Sequence, residues 1–199
     1  MKIRCFTAIL FTGKNRDAIA DYRRRLELQL PDSIATINWE KQKNLHVTVN
    51  FLGDVEEKLL RNIILDTREK MIPPAPPVHL SIGNIGAFPS LHKPKILWIG
   101  CADHSHYLAF SHSLLNTIIK EVGKGAIPVE SHAYTPHVTL GRIRSVHDFQ
   151  KLTNVIMDFK EKTSFTCDEY PLSLAFMQST LAAGGSDYSI IEEIPLQPH

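Results

Sequence analysis

Two short runs in this chain alternate aliphatic residues with a histidine and a threonine: Leu45-His46-Val47-Thr48-Val49 and Pro136-His137-Val138-Thr139-Leu140. Successive side chains of a β-strand point to opposite faces, with a period of two. Read as strands, both runs put an imidazole and a hydroxyl on one face and aliphatic side chains on the other. One face is built for burial and the other for display. A single His-x-Thr is an ordinary filler of a surface or core strand. Two copies, each in a β-like run with apolar flanks and each followed by a glycine and then a helix, point to a paired site.

Hydrophobic spacing supplies the surroundings. Residues 2–11 are rich in β-branched and aromatic types and read as a strand. Ile19, Tyr22, Leu26 and Leu30 fall at helical spacing, which predicts a helix from about residue 15 to Leu30, ended by Pro31. A short strand is expected over 35–39. The first motif strand is expected from Leu45 to Leu52, closed by Gly53-Asp54. A helix with Val55, Leu59, Ile63, Thr67 and Met71 on one face follows. Pro73-Pro74-Ala75-Pro76-Pro77 excludes regular structure and reads as a stiff connector. Beyond it lie β-like runs at 78–88 and 95–101 and a helix at about 105–122, ended by Gly123 and Gly125. The second motif strand, 137–143, leads into a helix bearing Phe149, Leu152, Ile156 and Phe159. Two closing strands, about 164–180 and 188–196, are expected to meet in a hairpin at Ala183-Gly184-Gly185-Ser186. A strand bearing His-x-Thr followed by a helix thus occurs twice, at 45–71 and 137–160. That echo suggests a duplication and two pseudo-symmetric lobes with the motif strands side by side and the helices outside.

Composition narrows the function classes. The chain has 199 residues, 43% of them hydrophobic, enough for a sizeable core. Lys plus Arg is 22 and Asp plus Glu is 21, a net charge of +1. A nearly neutral chain does not coat duplex nucleic acid by bulk charge, so any such contact is local. Three separated cysteines (Cys5, Cys101, Cys167), with no Cys-x-x-Cys, read as reduced thiols of a cytosolic protein. No segment approaches transmembrane length, and Met1–Phe11 reads as a strand rather than a signal peptide.

Imidazole takes or gives a proton near neutral pH. Two imidazoles on opposite sides of a phosphorus suit in-line displacement: one activates water, the other protonates the leaving sugar oxygen. Threonines are short, stiff donors for the non-bridging oxygens. No metal or other cofactor is required. A rival cluster, Asp103, His104, His106 and His112, could hold a metal. Its spacing at a helix start converges poorly, and a capped helix N-terminus with Asp103 or Ser105 as cap is preferred. Arg23-Arg24-Arg25 reads as a solvated helix face, or a contact for an RNA backbone, as do Lys93 and Lys95. His79, His92, His132 and His147 have no partners visible in sequence.

Residues 45–53, LHVTVNFLG, and 134–142, YTPHVTLGR, resemble the two signatures of the two-histidine (2H) phosphoesterases. Within these the chain is similar to the RNA 2′,3′-cyclic phosphodiesterases, also called 2′-5′ RNA ligases. Gly86-Ala87-Phe88-Pro89, Ile96-Leu97-Trp98-Ile99-Gly100 and Gly184-Gly185 with Tyr188 extend the likeness over residues 3–196. The resemblance implies an α+β fold, residues 1–199 as one domain of two pseudo-duplicated lobes, with two antiparallel sheets lining a central cleft and helices outside. It implies hydrolysis of a 2′,3′-cyclic phosphate to a 2′-phosphomonoester, with reversible 2′-5′ ligation. His46 would be the proton donor and His137 the proton acceptor. Thr48 and Thr139 would bind phosphate. Arg142 matches a substrate-contacting arginine, but strict alternation puts it on the wrong face unless a bulge lies at Gly141. Phe51 also alternates away from His46, which favours the core, but it lies near the strand end and is a candidate for stacking on a terminal base. The expected partners are RNA ends or small cyclic nucleotides, with no membrane, no obligate protein partner and a monomeric state. The alternatives are a nucleotide-binding module of the same fold, or a phosphodiesterase for 2′-5′ oligoadenylate or ADP-ribose cyclic phosphate.

Overall fold

The computed structural model describes residues 1–74, 77–128, 133–182 and 185–196. Ala75 and Pro76 of the expected connector, Ala183 and Gly184 of the expected hairpin, and His132 lie outside the described residues. The chain runs β1 (Lys2–Leu10), α1 (Gly13–Glu27), β2 (Ala35–Trp39), a 3-10 turn (Gln42–Asn44), β3 (His46–Glu56), α2 (Glu57–Lys70), β4 (Leu80–Phe88), β5 (Ile96–Asp103), α3 (Tyr107–Gly123), β6 (His137–Val146), α4 (Phe149–Lys162), β7 (Thr166–Glu169), β8 (Ser173–Ala182) and β9 (Gly185–Pro195).

The strand order β7-β4-β5-β6-β3-β1-β8-β9 is symmetric about the β6/β3 junction. On one side β6 pairs β5, β5 pairs β4 and β4 pairs β7; on the other β3 pairs β1, β1 pairs β8 and β8 pairs β9. All these pairings are antiparallel. β2 adds to β6. The two expected sheets are joined by an antiparallel pair, Val47 opposite Val138, into one continuous sheet. This is the midpoint of both motifs.

Helices cover one face. Ile19, Tyr22 and Leu26 of α1 are buried, as are Leu152, Ile156 and Phe159 of α4, and Tyr22 packs edge-on against Phe159 at 5.0 Å. Both helices belong with the β4–β7 half, where Tyr22 also meets Phe165 beside β7. α2 and α3 lie against each other and against β3 in the other half. Val47, Val49, Val138 and Leu140 are 0–1% exposed on this helix-covered side. His46, Thr48, His137 and Thr139 line a cleft on the opposite side.

Two expectations are corrected. The single strand expected at 164–180 is two strands in different halves, β7 on β4 and β8 on β1. Pro171, which cannot donate to a ladder, lies in the break. The motif strand expected to close at Gly53 continues to Glu56, because Gly53 adopts φ +71° within the strand and carries the chain onward. No described helix is long and apolar enough to cross a membrane.

Candidate active site

The cleft is about 880 Å3 and is lined by both motif pairs together with Phe51, Arg142, Glu40, Arg144, Phe88 and Tyr188, among others. Each motif histidine is held by the same local device. His46 Nδ1 donates to the carbonyl of Asn44 at 2.5 Å, and His137 Nδ1 donates to the carbonyl of Thr135 at 2.7 Å. In both cases the acceptor is two residues upstream. A proton fixed on Nδ1 leaves Nε2 as the working nitrogen. His46 Nε2 lies 3.0 Å from Thr48 Oγ1, so the hydroxyl donates to the neutral ring. Phe6 (5.0 Å) and Tyr188 (5.4 Å, edge-on) flank His46; Phe88 (4.9 Å, edge-on) and Trp98 (6.1 Å) flank His137.

Phe51 and Arg142 reach the cleft for one shared reason. Opposite β1, Thr7 pairs with Asn50 and Ala8 with Thr48, which leaves Val49 as an extra residue. Opposite β5, Leu97 pairs with Gly141 and Trp98 with Thr139, which leaves Leu140 extra. Each motif therefore carries a β-bulge at the same place, and alternation shifts by one. Val49 and Asn50 are buried in succession, as are Leu140 and Gly141. The next residues, Phe51 and Arg142, come back to the histidine face. The expectation that favoured the core for Phe51 is thus corrected: it is 54% exposed and lines the cleft. Arg142 is brought there by a bulge beside Gly141. A Cβ at Gly141 would stand 2.9 Å from Ile37 and Trp39, so only glycine fits this turn of the strand without displacement.

The β3 bulge is clamped from behind by α3. His112 Nδ1 donates to Val49 O (2.7 Å), the amide of Asn50 donates to Thr7 Oγ1 (3.0 Å), and Asn116 bridges Asn50 and His112. His112 is thereby accounted for, and it stacks on Tyr134, whose hydroxyl donates to Thr48 O at 3.0 Å. Two more members of the suggested metal cluster, Asp103 and His104, are also engaged in protein contacts. Asp103 accepts from Ser105 and from Leu108 N at the start of α3, and His104 bonds Ser81. His79 pairs with Asp168 and stacks on Tyr170; His147 bonds Thr36 and Ser145. Arg23, Arg24, Arg25, Lys93 and Lys95 are not among the cleft-lining residues. Sequence reasoning missed Phe6, Glu40 and Arg144 and used Tyr188 only as a hairpin mark. They reach the cleft through pairings between distant segments, for which no local pattern exists.

Burial pushes the His46 imidazolium down to about 4; the Asn44 carbonyl opposes this, and His137 and Arg142 add to it. His137 is lowered as well, by burial first and then by Arg142, against the pull of the Thr135 carbonyl. Both rings are neutral in the free protein at pH 7. In the unfolded chain His46 takes its proton near 6.5, so between 6.5 and 4 the unfolded state binds more protons than the folded one. The corresponding stability is complete above 6.5 and is lost as pH falls through 4. Thermal unfolding should therefore drop in midpoint over this window, and a His46→Gln variant should drop less. An equal drop in both would mean that His46 is not the depressed group.

A family model described as LigT like phosphoesterase matches residues 11–98. An RNA 2′,3′-cyclic phosphodiesterase of Aquifex aeolicus is 29% identical, with 98% of this chain and 97% of that protein covered. One from Methanocaldococcus jannaschii is 27% identical over 96% of this chain and 99% of its own. Among solved structures, a Thermus thermophilus protein superposes with a TM-score of 0.76 at 18% identity, covering 97% of each chain. Escherichia coli LigT complexed with 3′-AMP gives 0.72 at 18%, covering 99% of each. These structures share the fold. With the doubled His-x-Thr strands at the centre of that fold, the chain is similar over nearly its whole length to RNA 2′,3′-cyclic phosphodiesterases, and over residues 11–98 to the LigT like phosphoesterases.

Proposed function

We propose that this protein is an RNA 2′,3′-cyclic phosphodiesterase that opens the cyclic phosphate of an RNA end or small nucleotide to a 2′-phosphomonoester. One observation carries the reading. Two imidazoles, each with Nδ1 tied to a backbone carbonyl, flank the junction of β3 and β6 with their motif threonines beside them on the cleft side.

In this reading His137 Nε2 takes a proton from water as its oxygen attacks phosphorus. His46 Nε2 gives a proton to the 3′ oxygen as that bond to phosphorus breaks. The products are a 2′-phosphomonoester and a 3′ hydroxyl. Thr48, Thr139 and Arg142 hold the non-bridging oxygens, and Phe51 offers a face to the base. With a 5′ hydroxyl in place of water the same step forms a 2′-5′ linkage, and its reversal reopens it. His46 is neutral in the free cleft, so it must gain its proton when substrate binds. A phosphodiester anion beside Nε2 favours that proton, and Thr48 Oγ1 is freed to turn toward a phosphate oxygen.

The test is a product assay on 2′,3′-cyclic mononucleotides, cyclic-phosphate-ended RNA and 2′-5′ oligomers, each with and without EDTA. The expected result is 2′-monophosphate from the cyclic substrates at an unchanged rate in EDTA, since the proposed chemistry needs no metal. Loss of activity restored by one divalent metal would overturn the metal-free mechanism. Tight binding of every substrate with no product would make the protein a binding module. The same reading takes the enzyme as a cytosolic monomer, in keeping with three free cysteines held as neutral thiols by burial.

A further inference from the structure

A carboxylate lines a cleft proposed to hold an anion. Glu40 follows the last residue of β2, and its amide donates to Leu140 O at 2.9 Å, the carbonyl of the extra residue in the β6 bulge. Its side chain is 18% exposed, with Oε1 3.7 Å from Arg142 Nε. Asn44 lies beside the same carboxylate, with its side-chain amide donating to Ser186 O at 2.7 Å and its carbonyl holding His46. Tyr188, edge-on to His46, feels the charge of Glu40 as well as its own burial. Lys41 and Lys43 both reach Asp187 instead, so Arg142 is the guanidinium paired with Glu40.

Burial raises the carboxyl's pKa, against the pull of Arg142, Asn44 and Lys41, so this group is held in place at a cost. Its effect on ligands follows from charge. A phosphodiester carries one negative charge; a phosphomonoester with a second pKa near 6 carries nearly two at pH 7. A bare guanidinium rewards each added charge on the ligand. A neighbouring carboxylate cancels about one unit of that field and removes the reward.

We propose that Glu40, through its pairing with Arg142, sets the charge selectivity of the cleft, so that the singly charged diester is admitted and the doubly charged monoester product is released. The inference rests on the proposed hydrolysis.

Two measurements test it. In the first, adenosine 2′-phosphate is titrated calorimetrically into wild type and E40Q, and turnover of 2′,3′-cyclic AMP is followed in both. E40Q should bind the monoester at least about tenfold tighter, with a smaller change in KM for the cyclic substrate and a lower kcat from slow release. E40D keeps the charge and should keep the wild-type ratio of the two affinities. Equal changes in monoester affinity and KM, or weaker monoester binding by E40Q, would overturn the proposal. The second measurement needs no variant. Wild type should bind the methyl ester of adenosine 2′-phosphate at least as well as the free monoester at pH 7.5. A preference of tenfold or more for the free monoester would overturn it. Failure of wild type to hydrolyse cyclic AMP would sink the phosphodiesterase reading alone, because the comparison of the two esters measures binding only.

Discussion

Alanine at His46 or at His137 is expected to cut turnover of 2′,3′-cyclic AMP by at least about 10³-fold, with the fold retained. The strands keep their place without the imidazoles because Val47, Val49, Val138 and Leu140 anchor them to the core. The two variants should also separate in pH. Hydroxide can stand in for a missing base, so residual activity of His137→Ala should rise with pH. Loss of the proton donor has no such remedy in alkali, and His46→Ala should stay flat or fall. Product release by chromatography gives the rates, and thermal unfolding checks the fold. Near-wild-type turnover in either variant would remove the acid-base pair from the mechanism.

His112→Leu is expected to cost about 2–4 kcal/mol of stability, a fall in midpoint of roughly 4–16 °C for a chain of this size. Leucine fills much of the space, so lost packing is the smaller part. The larger part is polar. His112 is 8% exposed, and its removal leaves Val49 O without its side-chain donor and Asn116 Nδ2 without its acceptor. The stacked contact with Tyr134 goes too. Because the clamp secures the bulge that aims Phe51 into the cleft, kcat/KM should fall with stability. Guanidinium unfolding measures the first effect and steady-state kinetics the second. A midpoint within about 1–2 °C of wild type would mean that the bulge holds without α3.

The elements most legible in the sequence were those with a strict period. Alternation in 45–49 and 136–140 identified which face of β3 and β6 would be buried, and the helical spacing of Ile19, Tyr22 and Leu26 located α1. The motif residues were legible for the same reason, since His and Thr two apart share a face. Legibility ended where the period broke. Phe51 was misplaced because a bulge is an agreement between two strands, visible only when Thr7 and Ala8 are laid against Asn50 and Thr48. Arg142 could be placed only by supposing a bulge that alternation itself did not predict. Glu40 carried no signal at all: its position depends on β2 lying against β6 and on Asn44 folding back toward it. The break at Pro171 was in plain view, but that β7 and β8 go to opposite halves is a matter of sheet order, not of local preference.

The pairing of Val47 with Val138 ties the distance between the two imidazoles to the register of a single strand pair. The two motif histidines sit on the central strands of the sheet, whereas the rim also draws on other strands: Leu181, 90% exposed, from the β8–β9 hairpin, and Arg4 from β1. A slip of register at that one pair would change the spacing of the two imidazoles, whereas a change of side chain at Leu181 or Arg4 would leave it intact.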